Sequence, residues 1–388
     1  MKRLTHIIAV GILSGALFGL AAGCGGRSDI ERVEQGMRQL EAGNDRAAAR
    51  NLKRASTRIA NSAPLYYNLG TAYFRLGRFE GAAEAFATAL EIEPGDAMAR
   101  EFLGLTFLAQ RKWDDARVAL NEALAAADAS SRARLLNALF LAERGAGRPD
   151  MGLIRLLRAR RHERRHAPTF YNLASLYRDE YQLYEEAVDL LEMYVRLAPE
   201  TDAHAAKARE SIRRLKTAMP DPDRAAPGGS RRVPAEALRS FNEGEAHRQA
   251  RRWRQAANAY ARAMDLFPMY YEAAFNLGFA RSSEGQWREA FAAYQRAGEI
   301  DPRRVEPLYM QAREAYVGQD YEAAARLLAW HAIPRWPHYA PNFELMAYVA
   351  AALGRHDDAR VYGGHFLELS APSDARARFA EWLRALPR

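Results

Sequence analysis

The sequence contains a single cysteine, Cys24, among its 388 residues. An internal disulfide is therefore impossible, and the stability of the fold must come from packing alone. Runs of the strand-favouring residues Val, Ile and Thr are nearly absent, whereas alanine and arginine are abundant, which favours helices. With 49% hydrophobic and 27% charged residues, the composition is that of a globular chain and not of a disordered one.

Several motifs that mark enzymes are missing as well. The sequence has no P-loop, no glycine-rich dinucleotide fingerprint, and no serine or cysteine nucleophile in a recognisable setting. We therefore expect no cofactor, and a binding protein rather than an enzyme.

The first 23 residues have the layout of a secretory signal peptide. Lys2 and Arg3 form a short positive region, an apolar stretch runs from Ile7 to Leu20, and small residues precede Cys24. The apolar stretch is shorter than the roughly 20 residues that a membrane-spanning helix needs. We predict that residues 1–23 are removed on export.

The segment Leu20-Ala21-Ala22-Gly23-Cys24 resembles a bacterial lipobox, although Ala21 stands where a large aliphatic residue is usual. The resemblance implies that Cys24 becomes an acylated, for example palmitoylated, N-terminus, and that residues 24–28 tether the fold to a membrane. Gly25 replaces the aspartate that often signals inner-membrane retention, which favours the outer membrane, facing the periplasm. Plain secretion and an uncleaved membrane anchor are the alternatives.

A 34-residue pattern recurs along the chain. The segment from Ala63 to Asp96 and the 34 residues after it share one pattern of large and small side chains: Tyr66, Leu69, Gly70, Tyr73, Phe79, Ala82, Phe86, Ala89 and Pro94, then Leu103, Gly104, Phe107, Trp113, Ala116, Leu120 and Ala123. This pattern closely resembles the tetratricopeptide signature. The register extends to residues 29–62, 63–96, 97–130, 131–166, 167–201, 237–270, 271–304, 305–339 and 340–373. The resemblance implies an all-α fold, an α-solenoid of about nine stacked helix-turn-helix repeats.

Two sequence columns hold only glycine or alanine. The first column contains Gly36, Gly70, Gly104, Ala138, Ala174, Gly244, Gly278, Ala312 and Ala347, and the second contains Ala48, Ala82, Ala116, Gly152, Ala187, Ala256, Ala290, Ala324 and Ala359. Such small residues let the two helices of a repeat approach closely. The fourth repeat needs two extra residues around Pro149, and the fifth needs one around Tyr184.

The pattern changes after residue 201. Residues 202–218 still predict a helix, which would cap the fifth repeat, whereas the prolines and glycines of residues 219–236 predict a linker. The chain is thus predicted to hold an N-terminal array at residues 29–218 and a C-terminal array at residues 237–388. A second capping helix is predicted from Ser373 to Leu386.

In the tetratricopeptide family, the first helices of successive repeats line a concave groove that binds peptides. The corresponding candidates here are four asparagines, six aromatic residues and one arginine: Asn68, Asn172, Asn242, Asn276, Tyr67, Phe74, Tyr171, Phe241, Phe275, Tyr309 and Arg313. Asparagine can hydrogen-bond a peptide backbone, and aromatic side chains are good anchors. Because Arg313 is the one basic residue at the positions of the family's carboxylate clamp, an extended or helical partner segment fits better than a chain terminus. The alternative, that these residues only pack or solvate locally, stays open.

These observations predict a membrane-anchored scaffold or adaptor that binds other proteins, in the assembly of an envelope or secretion complex. A groove that binds glycan or lipid is an alternative. Nucleic acid is not an expected partner, because the protein is predicted to be exported.

One short motif points to an enzyme instead. His162, Glu163 and His166 match H-E-x-x-H, which on a helix holds zinc between two histidines with glutamate as the base. However, Arg164 and Arg165 place positive charge where the dication would sit, and no third ligand is evident. A zinc peptidase is therefore the less favoured alternative, and no metal is expected.

The same stretch is rich in arginine: Arg155, Arg158, Arg160, Arg161, Arg164 and Arg165. The net charge of the whole chain is +8, and it falls to +6 when Lys2 and Arg3 leave with the signal peptide. An arginine cluster could meet phosphate on lipid or an acidic partner, or it could be an ordinary solvated surface.

Overall fold

A computed structural model describes residues 27–199, 201–219 and 232–387. These residues form helices joined by short turns, with no β-strand among them. The predicted fold class, an all-α arrangement of stacked helix pairs, is confirmed. The predicted signal peptide, Cys24 and most of the predicted linker lie outside the described residues. No helix in the described part of the chain is long and apolar enough to cross a membrane.

The residues up to Asn172 form one compact unit. Its helices are α1 (Arg27–Glu41), α2 (Asp45–Ser56), α3 (Ala63–Arg75), α4 (Phe79–Ile92), α5 (Ala97–Ala109), α6 (Trp113–Ala126), α7 (Ala129–Gly145) and α8 (Pro149–His162), followed by the start of α9 (Ala167–Leu176). From α1 to α8, each helix packs against the next, and the first helices of neighbouring repeats, α1, α3, α5 and α7, also contact one another. The first helices therefore form one side of this unit.

The residues from Leu173 onwards form a second compact unit. Its helices after α9 are α10 (Tyr184–Leu197), α11 (Ala203–Ala218), α12 (Ala235–Gln249), α13 (Trp253–Leu266), α14 (Tyr271–Ser283), α15 (Trp287–Ile300), α16 (Glu306–Val317), α17 (Tyr321–Arg326), α18 (Ile333–Arg335), α19 (Ala340–Ala352), α20 (His356–Leu369) and α21 (Asp374–Ala385). The two predicted capping helices correspond to α11 and α21. Helix α12 begins two residues inside the predicted linker, whose other boundaries stay predictions.

Small side chains occur where the two helices of a repeat cross. A Cβ added to Gly104 would stand 2.6 Å from Cγ of Leu120, and one added to Gly244 would stand 2.6 Å from the ring of Tyr260. Real Cβ atoms do not approach other atoms this closely, so only glycine fits at these crossings without movement. The interpretation of the glycine column as a close helix contact is confirmed.

One residue in each turn between the paired helices has a left-handed backbone. Nine such turns occur in the described chain, with φ between 55° and 75°, at Gly43, Gly77, Arg111, Gly147, Gln182, Arg251, Gly285, Gln319 and Gly354. Successive turns within each predicted array are 34 to 36 residues apart. This spacing agrees with the register of the sequence columns.

The extra residues of the irregular repeats lengthen helices. The fourth repeat has a first helix of 17 residues, α7, whereas α3 has 13. In the fifth repeat, α9 continues as a π-helical turn, Tyr177–Tyr181, which holds one more residue than an α-helical turn. A second π-helical turn, Leu327–Ala332, continues α17 in the 35-residue repeat predicted at 305–339.

The first π-helical turn contacts both the second one and the short helix α18 that follows it, within the second unit. The Tyr177 hydroxyl donates a hydrogen bond to the backbone oxygen of Pro334 in α18 at 2.9 Å. The rings of Tyr181 and Trp330 meet edge to face, with centroids 5.9 Å apart. Helices that are distant in sequence are thus joined at the points where both depart from regular geometry.

Candidate peptide-binding face

All of the candidate groove residues lie on first helices of repeats. In the first unit they lie on α3 and on the start of α9, and in the second unit they lie on α12, α14 and α16. We call the surface formed by the first helices of the repeats within each unit its first-helix face.

Two of the aromatic candidates, Tyr67 and Phe74, pack between the second and third repeats. The Tyr67 ring lies edge-on to Phe86 and to Phe102, with centroids 5.8 and 5.7 Å away. Phe74 is only 6% exposed and packs against Phe102 and Phe79. Burial, with the nearby negative charge of Asp96 and Glu101, raises the pKa of the Tyr67 hydroxyl to about 12. These two rings therefore hold α3 to its neighbours, whatever else their edges contact.

The aromatic candidates of the second unit have the same structural role. Phe241 packs against Tyr260 on the second helix of its repeat at 5.6 Å and against Tyr270, immediately before α14, at 5.1 Å. Phe275 lies 5.3 Å from Tyr294 in the second helix of its repeat. These ring contacts of Phe241 and Phe275 hold α12 and α14 against their neighbours, so they make the first-helix face of the second unit rigid.

Tyr309 and Arg313, on α16, are also engaged within the second unit. The ring of Tyr309 lies 5.8 Å from that of Tyr339, and burial raises the pKa of its hydroxyl. Arg313 Nη2 donates to Glu314 Oε1 at 2.8 Å and to Ser282 Oγ at 2.9 Å. Because Glu314 is almost fully buried, this arginine neutralises an internal carboxylate.

The asparagine candidates of the first unit donate hydrogen bonds inside the protein. Asn68 Nδ2 donates to the backbone oxygen of Pro64, one turn earlier in α3, at 2.8 Å. Asn172 Nδ2 donates to Asn137 Oδ1, one repeat earlier, at 2.8 Å. Tyr171, next to Asn172, is half-buried on α9.

The asparagine candidates of the second unit differ from each other. Asn276 Nδ2 donates to Glu245 Oε1 on α12 at 3.0 Å, which joins two first helices. Asn242 is exposed on α12. Of the four asparagines, Asn242 has the side chain most open to a partner.

A buried polar network that the sequence reasoning missed joins α7 to the start of α9 in the first unit. Asn137 Nδ2 donates to Thr169 Oγ1 at 2.7 Å, and Thr169 Oγ1 lies 2.8 Å from His166 Nδ1. Burial lowers the pKa of His166, so the neutral ring is favoured. Asn137 occupies a column that holds leucine in the neighbouring repeats, at Leu103 and Leu173. An asparagine at a position that otherwise holds leucine is the sequence feature that could have indicated this network.

A second missed contact is an ion pair between the third and fourth repeats. Arg134 Nη2 lies 3.1 Å from Glu101 Oε2. Burial raises the pKa of Glu101, and the positive charge of Arg134 offsets only part of that rise. The pair links α5 to α7 along the same face.

The arginine cluster is only partly a surface feature. Arg155 is 5% exposed, and its Nη2 lies 3.1 Å from Oε1 of the fully buried Glu143. The prediction of a surface cluster is therefore wrong for Arg155. Arg161, Arg164 and Arg165 are exposed at the end of α8 and in the turn that follows.

The H-E-x-x-H segment does not form the helix that zinc binding through this motif needs. Helix α8 ends at His162, and Glu163 has an extended backbone with φ −139° and ψ 99°. His166 lies beyond the turn, just before α9. No group of three or more metal-binding side chains occurs anywhere in the part of the chain that the structure describes.

Comparison with known families identifies the repeats. The tetratricopeptide repeat model matches residues 33–97 and 67–132 in the first unit and residues 241–304 in the second. Both units contain tetratricopeptide repeats. The tetratricopeptide segments include α3 and α5, which carry Tyr67, Asn68 and Glu101, and α12 and α14, which carry Asn242 and Asn276.

Several solved structures resemble parts of the chain. MamA from Desulfovibrio magneticus RS-1 is 21% identical, with a TM-score of 0.39, over 49% of this chain and 97% of its own. A double mutant of MamA RS-1 is 23% identical, with a TM-score of 0.40, over 44% and 95%. A thermophilic tetratricopeptide protein from Thermus thermophilus is 18% identical, with a TM-score of 0.39, over 49% and 99%. No curated protein sequence matches the chain.

Proposed function

We propose that the protein is a lipid-anchored adaptor of the bacterial envelope, which binds a segment of another protein on its first-helix face. The observation that carries this proposal is the tetratricopeptide architecture of both units, because such repeats serve as scaffolds for protein interaction. A role in assembling an envelope or secretion complex follows from combining a scaffold with a membrane anchor.

The rigidity of the face supports the proposal. Tyr67 joins the first helices α3 and α5 through Phe102. Phe241 holds α12 to the start of α14 through Tyr270, and Phe275 holds α14 to α15 through Tyr294. Polar groups on rigid helices bind a partner with less loss of conformational freedom than groups on loops. Asn242 is such a group, because it is exposed and lies one residue after the packed Phe241.

The anchor part of the proposal rests on Cys24 and the small residues before it. Two or more acyl chains on one residue would hold the protein firmly at a membrane, since each buried CH₂ contributes about 0.8 kcal/mol. We expect Cys24→Ser to release the protein from the membrane fraction of cells when the membranes are washed at high salt, which removes electrostatic attachment. Continued sedimentation of this variant with salt-washed membranes would contradict the anchor, and it would not affect the assignment of the binding face.

The binding face is tested by site-specific photo-cross-linking in cells. A photoreactive residue replaces Asn242 on α12 and, as the matched control, Gln255 on α13, which is exposed on the second helix of the same repeat. Asn68 and the exposed Glu84 form the same pair in the first unit. We expect recurrent cross-links to one protein from positions 242 or 68. Equal cross-linking from the control positions would contradict the assignment of the face.

A further inference from the structure

Helix α2 has a continuous basic face. Arg46, Arg50 and Arg54 are all exposed. Their spacing of four residues places them along one side of the helix, over about 12 Å. Lys53 is exposed beside them. The opposite side of the helix, formed by Ala48, Ala49, Leu52 and Ala55, is buried in the first repeat.

No acidic side chain among the described residues neutralises the charge of this face. Among residues 27–199, 201–219 and 232–387, no carboxylate forms an ion pair with any of these four side chains. The one acidic residue of α2, Asp45, lies 3.5 Å from Arg75 instead. Other exposed arginines of the described chain do have acidic partners, such as Arg262 with Glu243 at 2.7 Å.

The equivalent helix of the next repeat has the opposite charge. Helix α4 carries Glu80, Glu84 and Glu91 and no lysine or arginine. A basic outer helix is therefore not a requirement of the repeat itself. Helix α8 of the fourth repeat is also rich in arginine, but α2 belongs to the repeat that follows the predicted anchor.

The basic face ends beside the start of α1. The two helices pack as an antiparallel hairpin, and Arg58 Nη1, just after α2, lies 3.6 Å from Asp29 Oδ2 in the first turn of α1. Helix α1 begins only three residues after Cys24 in sequence. The C-terminal end of the basic face thus lies next to the point where the chain enters the fold from the proposed lipid anchor.

We infer that the basic face of α2 docks on a bilayer that contains anionic phospholipid. The inference rests on the proposed anchor for its location, but the attraction itself depends only on the four cationic side chains. The exposed side of α2 carries no large apolar residue, so the helix adsorbs to headgroups and does not insert. A lipid chain combined with a basic patch holds a protein on a membrane more stably than a single lipid chain does.

The expected strength follows from the number of charges. Each arginine near an anionic surface strengthens binding by about fivefold, so three contribute roughly a hundredfold. Salt screens this attraction, since charges on an exposed helix act through water. Binding is therefore expected to be strong at low salt and weak at high salt.

The test uses the mature chain with Cys24→Ser, so that no acyl group contributes. Its co-sedimentation is measured with vesicles of phosphatidylcholine alone and of phosphatidylcholine with phosphatidylglycerol, at low and high salt. We expect binding to the phosphatidylglycerol vesicles only, and a loss of roughly a hundredfold in the variant Arg46→Gln, Arg50→Gln, Arg54→Gln. Gln is a good helix former, so the helical content should not change.

The matched control is the variant Arg251→Gln, Arg252→Gln, Arg254→Gln. It removes the same charge from three exposed arginines of the second unit. We expect it to bind like the parent chain. Equal losses in the two triple variants would show general attraction to a basic protein and overturn the inference, and so would an absence of binding to anionic vesicles. Neither result would bear on the lipid anchor, which is tested separately by the release of Cys24→Ser from cell membranes.

Discussion

Gly70 lies directly against the ring of Phe86: a Cβ on residue 70 would stand 2.8 Å from Cδ1 and Cε1 of that ring. The same relationship joins each glycine of the first column to the residue sixteen positions later, as in Gly36 with Leu52 and Gly278 with Tyr294. At these glycines the two helices of a repeat cross so closely that the first helix has no room for a side chain.

Replacing Gly70 tests this contact. We expect Gly70→Ala to lower the free energy of unfolding by about 2 kcal/mol, because the added methyl group forces the buried Phe86 to move. Gly95→Ala is the control, since a Cβ there would meet nothing within 4 Å. Chemical denaturation measures both. A Gly70→Ala variant as stable as the parent chain would mean that the crossing is looser than described.

The left-handed turns give a second prediction. Gly77 has φ 73°, and a Cβ there would meet nothing within 4 Å. We expect Gly77→Ala to lower the free energy of unfolding by about 1 kcal/mol through backbone strain alone. Arg111 occupies the same turn position with φ 60°, so Arg111→Ala introduces no new strain and should change the value by less than about 0.5 kcal/mol. A similar loss in both variants would contradict this explanation.

The ion pair between Glu101 and Arg134 makes stability depend on pH. Burial raises the pKa of Glu101 in the folded chain, so the folded state holds that proton more tightly than the unfolded state does, and this contribution to stability is lost as the pH rises through the folded pKa. Arg134 offsets the loss. We expect Arg134→Met to lower the free energy of unfolding by about 2 kcal/mol at neutral pH, because it leaves a buried carboxylate without its charged partner.

The loss in Arg134→Met should shrink under mildly acidic conditions, where Glu101 becomes protonated. Thermal unfolding of the variant and the parent chain across this pH range measures the difference. The double variant Arg134→Met, Glu101→Gln should lose less stability than Arg134→Met alone at neutral pH. A loss that is the same at every pH would show that Arg134 acts through packing and not through its charge.

The H-E-x-x-H segment gives a prediction about metal. We expect the purified protein to hold no stoichiometric zinc by elemental analysis, because His162 ends α8 and His166 lies beyond the turn. His166→Ala should still lower the melting temperature, since His166 Nδ1 contacts Thr169 Oγ1 at 2.8 Å. His162→Ala should have the smaller effect, because His162 is exposed. Equimolar zinc that is lost in both variants would revive the peptidase alternative.

The fold could be predicted from the sequence because one contact is repeated many times. Gly104 against Leu120 and Gly244 against Tyr260 are the same contact in two repeats, so a small residue recurs at a fixed spacing. The turns recur with the same period, whether they contain Gly77 or Arg111. Because the small residue and the turn recur in successive repeats, an exception in one repeat does not hide the pattern.

The candidate site was less predictable, because one position in a repeat can face either a partner or the neighbouring repeat. Tyr67 and Phe241 have the residue type of an anchor, yet they pack against Phe102 and Tyr270. Arg155 belongs to a run of arginines, but its partner Glu143 lies twelve residues away and was not identifiable from spacing. A contact between repeats depends on which two residues face each other. Aligning the repeats compares one position at a time and does not reveal such pairs.

The hydrogen bond from Tyr177 to Pro334 spans 157 residues of sequence. Neighbouring hairpins need only local encounters, which are fast, whereas closing so long a loop costs additional entropy and must wait for both ends. We therefore expect the hairpins of the second unit to form early and the contact between Tyr177 and Pro334 to form late. During synthesis, Tyr177 and Tyr181 can contact Pro334 and Trp330 only after the chain has grown past residue 334, and we expect the unit to be most open to misassembly before that point.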